Sequence, residues 1–268
     1  MMMKGAKVQK TNIHPSNRVH QTAYIEEGAV IGHNNHFGPF TYISACVVIG
    51  DNCRFEGHCS IGSPPEHKGL HFAPGNHGVL IGNGVVVKEF VTINRGTTHT
   101  TTIQDGVWML RGSHAGHDSL VMHDATISCN VVIGGHSVVM DKANIGLGAV
   151  IHQRRCIGSY AMIGMGAVVT KSMPPFMTAY GSPCKPKHLN FNGMLRGGAV
   201  TESRLSLFKL YEALAESQMG SYKRVMEVMP PEGKSIFELW TKLIRGTSDL
   251  SSVQPEEKDL PKPGDLRQ

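Results

Sequence analysis

Large apolar residues recur every six positions from Val19 onward, through Ile25, Ile31, Phe37, Ile43, Ile49, Phe55 and Ile61, and several are followed by glycine, as in Ile31-Gly32 and Ile49-Gly50. The register breaks once, resumes at Ile81, Val87 and Ile93, and breaks again. It then runs from Ile103 through Met109, Ala115, Val121, Ile127, Ile133, Val139, Ile145, Ile151, Ile157 and Ile163 to Val169 without a skipped residue. A period of six is incompatible with the 3.6 residues of a helical turn and predicts short strands joined by tight corners. Four positions further on, the residue is small or short, as at Ala23, Ala29, Thr41, Cys53, Ala125, Ala143, Ala161 and Ala167. One large and one small inward residue per hexad suits the interior of a narrow solenoid. Three hexads close one triangular coil, so residues 18 apart stack at about the 4.8 Å interstrand spacing. The two breaks, Ser63–Leu80 and Thr98–Thr102, must leave the prism at a corner, and irregular loops on a rigid scaffold are commonly functional.

After Pro174-Pro175 the hexads stop. Helical spacing begins at Thr201, a candidate cap, with Leu205, Phe208, Tyr211 and Leu214, and a second segment offers Tyr222, Val225, Met226 and Met229. Beyond Pro230-Pro231, Ile236, Phe237, Trp240, Leu243 and Ile244 form another apolar stripe. These stripes are expected to be core, packed on each other or on the end of the prism. From Ser248 the chain is polar and proline-rich, which predicts a loosely ordered tail. The expected organisation is a β-helical domain over 1–190, a helical domain over 191–250 and a flexible tail over 251–268.

Composition agrees with a core of small β-branched residues: the 268-residue chain is 40% hydrophobic but only 6% aromatic, with 31 glycines. Its six cysteines show no CxxC pair, so free buried thiols are expected rather than disulfides. A net charge of +5, spread along the chain, suits an acidic partner or a phosphate-bearing ligand and argues against a nucleic-acid footprint. No window approaches the roughly 20 apolar residues that span a bilayer, so a cytoplasmic protein with no membrane insertion is expected.

Position on the prism separates the 15 histidines. Steps of 18 from residue 117 reach 135 and 153, so His117, Gly135-His136 and His152-Gln153 stand on one corner within about 10 Å along the axis, with His114 in the preceding hexad. Histidine, with an ordinary pKa of about 6.5, suits removal of a proton from a hydroxyl near neutral pH. Asp118 is placed to orient that imidazole or stabilise its cation, and the Gly135 N–H is a candidate oxyanion donor to a thioester carbonyl.

The hexad grammar from Val19 to Pro174 resembles the hexapeptide-repeat transferases, which implies an all-β, left-handed parallel β-helix with a C-terminal α-helical domain. The segments Thr92-Ile-Asn-Arg-Gly-Thr97, His114-Ala-Gly-His117-Asp118, Gly134-Gly135-His136, Ile151-His152-Gln153 and Gly181 to Gly197 together resemble the UDP-N-acetylglucosamine O-acyltransferases that begin lipid A synthesis. That resemblance implies a homotrimer with active sites between protomers, acyl carrier protein as the acidic donor partner, a UDP-sugar acceptor and no cofactor beyond the carrier's phosphopantetheine. It implies that His117 deprotonates the sugar 3-hydroxyl, Asp118 supports it and Gly135 holds the oxyanion. Lys68, Arg95, His114, His136, His152, Gln153, Asn190 and Arg196 would line the substrate site. Arg154, Arg155, Lys171, Lys185 and Lys187 would face the carrier from one region. Met165 falls where the family sets acyl length, and its bulk implies a medium-length 3-hydroxyacyl group.

The chain departs from the family pattern at Ser63-Pro-Pro-Glu-His-Lys-Gly69, where a Gln-Asp-x-Lys sequence is usual, and at Gly197, which stands where an arginine often follows the position of Arg196. Another nucleotide sugar or amino sugar therefore stays open as acceptor. Neutral imidazoles on this scaffold leave a γ-type zinc hydratase as a reading from another class, and an inert scaffold as a third.

Overall fold

The computed structural model describes residues 13–66, 68, 77–198 and 231–245. The described residues form 25 short strands, most of two residues and all but the last two from the hexads, arranged in three sheets of 10, 8 and 7 strands. Each sheet takes every third strand along the repeat, so the chain visits the first, second and third faces in turn and climbs one coil per circuit. Pairing is parallel throughout the repeat, with an 18-residue offset such as Val19 opposite Phe37. The large hexad residues Phe37, Ile43, Ile49, Phe55 and Ile61 and the small ones Cys53, Cys59, Ala125 and Ala161 all point inward and are buried in one continuous core. Corners are made by residues in the left-handed backbone region, among them Asn34, Asn52, Asp124 and Asn130, types whose short polar side chains tolerate that conformation.

The offset lengthens twice, to 32 between Arg54 and Val86 and to 22 between Val86 and Trp108, so segments of 14 and 4 residues are inserted. Both leave the prism at the edge between the second and third faces, after Ser63 and after Asn94. The insertions are shorter at their far ends than the sequence pattern suggests. Val79 and Leu80 pair with Thr101 and Thr102, because a segment returning to the ladder satisfies its backbone groups there.

After the last coil, Met177–Tyr180 turns back antiparallel onto Lys185–Leu189. Helix α1 follows at Phe191–Arg196, its N-terminus capped by the Asn190 side chain, which accepts from the Gly193 N–H at 3.1 Å. Helix α2, Pro231–Arg245, carries the last of the predicted stripes. As expected, it packs on the prism's C-terminal end, where Ile236 and Trp240 lie against Phe176, Leu189 and Met194, and it also reaches the flank. Leu243 is buried against Leu120, Met122, Val138, Met140 and Cys156 on the outer flank of the third face, with Ile236, Trp240 and Ile244 beside it. Outward strand positions on that face are apolar, and the helix removes them from water. The stripes begun at Thr201 and Tyr222, and the tail over 251–268, lie outside the described residues. All six cysteines are free, four of them buried.

The interior is specified by stacked side chains, as where Phe37 lies parallel to Phe55 at 5.1 Å between ring centroids, both fully buried. Phe55→Ala should therefore destabilise the coil by about 3–5 kcal/mol, as for other large-to-small core changes. Urea unfolding monitored by circular dichroism measures it, and a loss under about 1 kcal/mol would mean that the interior collapses around the gap.

Candidate active site

The edge between the second and third faces brings His117, Asp118, Gly135 and His136 together. His114–Ala115 ends on the second face, Leu120–Val121 begins on the third, and the corner between them is Gly116-His117-Asp118-Ser119. Asp118 has φ +59° and Ser119 ties the corner by donating to the Gly116 carbonyl at 2.6 Å. The left-handed turn directs the Asp118 carboxylate inward rather than to solvent, and it is completely buried.

A buried carboxylate needs donors, and the four-residue insertion of the coil below supplies them. Thr97 donates from its N–H at 2.9 Å and its hydroxyl at 2.6 Å, Thr98 from its N–H at 2.7 Å and its hydroxyl at 3.2 Å, and His99 from its N–H at 2.7 Å. The sixth donor is His117, whose Nδ1 lies 2.6 Å from Oδ2. Burial alone raises the Asp118 pKa, but the hydrogen bonds from His117, Thr97, His99 and Thr98 outweigh it and hold the group well below the ordinary carboxylate range. Asp118 is thus ionised, and with Nδ1–H donated to it the proton-accepting lone pair of His117 is on Nε2. Thr97 closes the Thr92–Thr97 segment and Thr98 and His99 fall in the second break, but the sequence assigns none of the three a role as donor to Asp118. Their position follows from that break, which falls one coil before His117 on the same edge.

One coil above stands Gly135. A Cβ there would come within 2.8 Å of both Cε1 and Nε2 of His117, so only glycine lets the imidazole lie against this turn. The Gly135 N–H makes no hydrogen bond among the described residues. His136 meets His117 edge to face, with ring centroids 5.1 Å apart, and its Nε2 lies 3.5 Å from Asp118. Burial lowers the His136 pKa, Asp118 opposes this, and Arg154, His117 and His99 add to the lowering. His114 contacts the Thr92 hydroxyl through Nδ1 at 2.8 Å. Burial lowers its pKa against the pull of Glu66, whose carboxylate is 3.8 Å from Nε2. His152 and Gln153 are exposed on the next coil, where the Arg154 N–H donates to the Gly135 carbonyl. Arg95 lies lower on the same edge, with its N–H on the Ser63 carbonyl, and Lys68 is exposed in the longer insertion.

Three expected site residues stand elsewhere on the chain. Met165 is 75% exposed at the edge between the first and second faces. Asn190 and Arg196 line a cavity of about 640 Å³ on the first face, with Thr126, Lys142, Asn144 and Met162. The expectation of one basic region is also corrected. Arg154, Arg155 and Lys171 continue the His117 edge, whereas Lys185 and Lys187 sit on the terminal hairpin, Lys187 over the Tyr180 ring at 5.3 Å. The hairpin reverses the chain and joins the first face, which removes these two from the repeat's register.

His117, Asp118 and His136 present ligand atoms within 4.8 Å of one another. The donor set fits a metal poorly, because the Asp118 oxygens already accept six hydrogen bonds. A cation would have to displace them. The arrangement is that of a base held by a buried carboxylate, with a backbone donor beside it.

Residues 28–63 match the bacterial transferase hexapeptide family (six repeats). The structure of UDP-N-acetylglucosamine acyltransferase from Campylobacter jejuni superposes with a TM-score of 0.68 at 24% identity over 82% of this chain and 94% of that one, a likeness of fold. The corresponding enzyme of Francisella novicida gives 0.58 at 24% identity over 87% and 91%. In sequence, the acyl-[acyl-carrier-protein]–UDP-N-acetylglucosamine O-acyltransferase of Stenotrophomonas maltophilia (strain R551-3) is 35% identical over 219 residues, 74% of this chain and 82% of that protein. Identity at that level along most of both chains places this protein in the acyl-[acyl-carrier-protein]–UDP-N-acetylglucosamine O-acyltransferase family.

Proposed function

We propose that the protein transfers a medium-length 3-hydroxyacyl group from acyl carrier protein to the 3-hydroxyl of UDP-N-acetylglucosamine, the first step of lipid A biosynthesis. The observation that carries the mechanism is the 2.6 Å contact between His117 Nδ1 and the buried Asp118, which leaves Nε2 as a base beside Gly135. Nε2 takes the proton of the sugar hydroxyl as its oxygen attacks the thioester carbonyl. Asp118 stabilises the imidazolium, and the Gly135 N–H donates to the tetrahedral oxyanion. Collapse breaks the C–S bond, and His117 returns the proton to the departing phosphopantetheine thiolate. No metal or redox group takes part. Mass analysis of products from a panel of acyl carriers and nucleotide sugars should show an O-acylated UDP-N-acetylglucosamine, and an amide-linked product would move the acceptor to an amino sugar. His117→Ala should lower kcat at least ~100-fold with the fold intact; retained turnover would take His117 out of the mechanism.

The reading includes a homotrimer in the cytoplasm whose sites lie between neighbours. It is supported by the position of Met165, Asn190 and Arg196 on edges and faces other than that of His117. It is also supported by the second face, whose outward Val132, Val150 and Val168 are 41%, 43% and 36% exposed in the single chain. No helix among the described residues is long and apolar enough to cross a membrane. If neighbours share each site, inactive His117→Ala and Arg196→Ala proteins should regain turnover when unfolded, mixed and refolded together. A mixture as inactive as its parents would place the whole site in one chain.

Met165 is the proposed limit on acyl length, its exposed thioether closing the far end of the acyl groove from the neighbouring protomer. On a ladder of 3-hydroxyacyl carriers the wild type should prefer medium lengths, and Met165→Gly should move the optimum to longer chains. An unchanged optimum in the variant would remove Met165 from the groove.

A further inference from the structure

The cavity on the first face contains a feature that the family resemblance does not supply. Helix α1 ends at Arg196, and Gly197 follows with its carbonyl turned to the prism. That carbonyl accepts from Lys142 Nζ at 3.0 Å and from the Tyr160 hydroxyl at 3.3 Å. Lys142 and Tyr160 are 18 residues apart on the edge between the third and first faces, and the ammonium lies 5.7 Å from the Tyr160 ring. A Cβ at 197 would come within 2.3 Å of the Tyr160 ring, so a side chain there would require that ring to shift. The second cation at this cavity stands on the prism wall rather than on α1. Lys142 is that residue: it lines the same cavity as Arg196, and an ammonium has three donors, of which the Gly197 carbonyl uses one.

We propose that Lys142 binds the acceptor's diphosphate, gripping it together with Arg196 from the β-helix side of the cavity. This rests on the nucleotide-sugar reading above. The rest of the lining suits the same ligand. Asp124, one coil below Lys142, offers acceptors to ribose hydroxyls, and the Asn144 carboxamide offers a donor and an acceptor to a pyrimidine imide edge. A volume of about 640 Å³ lies within the ~300–1,000 Å³ of small-ligand clefts. A purely mechanical role, in which Lys142 only pins the end of α1, makes a different prediction, because a glutamine can still donate to the Gly197 carbonyl but carries no charge.

The test is calorimetric titration with UDP, together with steady-state kinetics on UDP-N-acetylglucosamine, for wild type, Lys142→Gln and Lys142→Arg. Lys142→Gln should weaken UDP binding and raise KM for the sugar nucleotide about tenfold, the size of one charge-assisted hydrogen bond, with kcat nearly unchanged. Lys142→Arg should stay near wild type. A glutamine variant that binds UDP as tightly as wild type overturns the proposal and leaves Lys142 as a pin for α1. So does an arginine variant that fails as badly as the glutamine one. UDP binding keeps the two readings separable: a wild type that binds UDP but forms no acylated sugar refutes the reaction and not the phosphate site, whereas normal turnover with an indifferent Lys142→Gln refutes only the site.

Discussion

The whole molecule depends on one constraint: each coil of three very short strands is hydrogen-bonded in parallel to the coils above and below it, with no element able to stand alone. A strand of two residues has negligible stability by itself, and its backbone groups are satisfied only because the next turn of chain repeats the same corner. Extra residues inside a strand would turn its inward side chains outward, so insertions are tolerated only at corners. The chain places both of its insertions at a single edge, the one that bears His117.

That coincidence gives the edge its electrostatics. An isolated aspartate in the wall of a β-helix would be driven toward its neutral form by burial. Asp118 is ionised because the short insertion folds back over it and presents three backbone amides and a hydroxyl within 3 Å, with an imidazole opposite. The fixed negative charge determines the tautomer of His117, and glycine at 135 allows the ring to lie where its second nitrogen faces the cleft. His114 and His136, whose pKa values are lowered by burial, add uncharged hydrogen-bonding groups around this base rather than competing cations.

A prism has three edges, and the chain uses each differently. One holds His117 and Asp118, one presents Met165, and the third anchors α1 through Lys142 and Tyr160. Helix α2 covers the third face and leaves the second face, with its exposed valines, uncovered in the single chain. Chemistry distributed around a rigid column in this way favours a site assembled from more than one copy, since no flexing of the column brings its edges together.

The sequence by itself determined what depends on counting along the chain: the strands, the inward-facing residues, and the alignment of His117, Gly135 and Gln153, because a fixed number of residues per coil makes vertical neighbours a matter of arithmetic. The all-β class and the apolar stripe of α2 were legible for the same reason, each being a short-range period. The tertiary structure decided everything in which segments outside the repeat approach it. Thr97, Thr98 and His99 reach Asp118 through a loop conformation that no period encodes. Helix α2 extends from the end of the prism onto its flank because Leu120, Val138 and Cys156 offered an apolar surface there, and the hairpin placed Lys185 and Lys187 outside the repeat's register. Such contacts depend on shape and burial between distant parts of the chain, which are fixed only when the whole surface of the column exists.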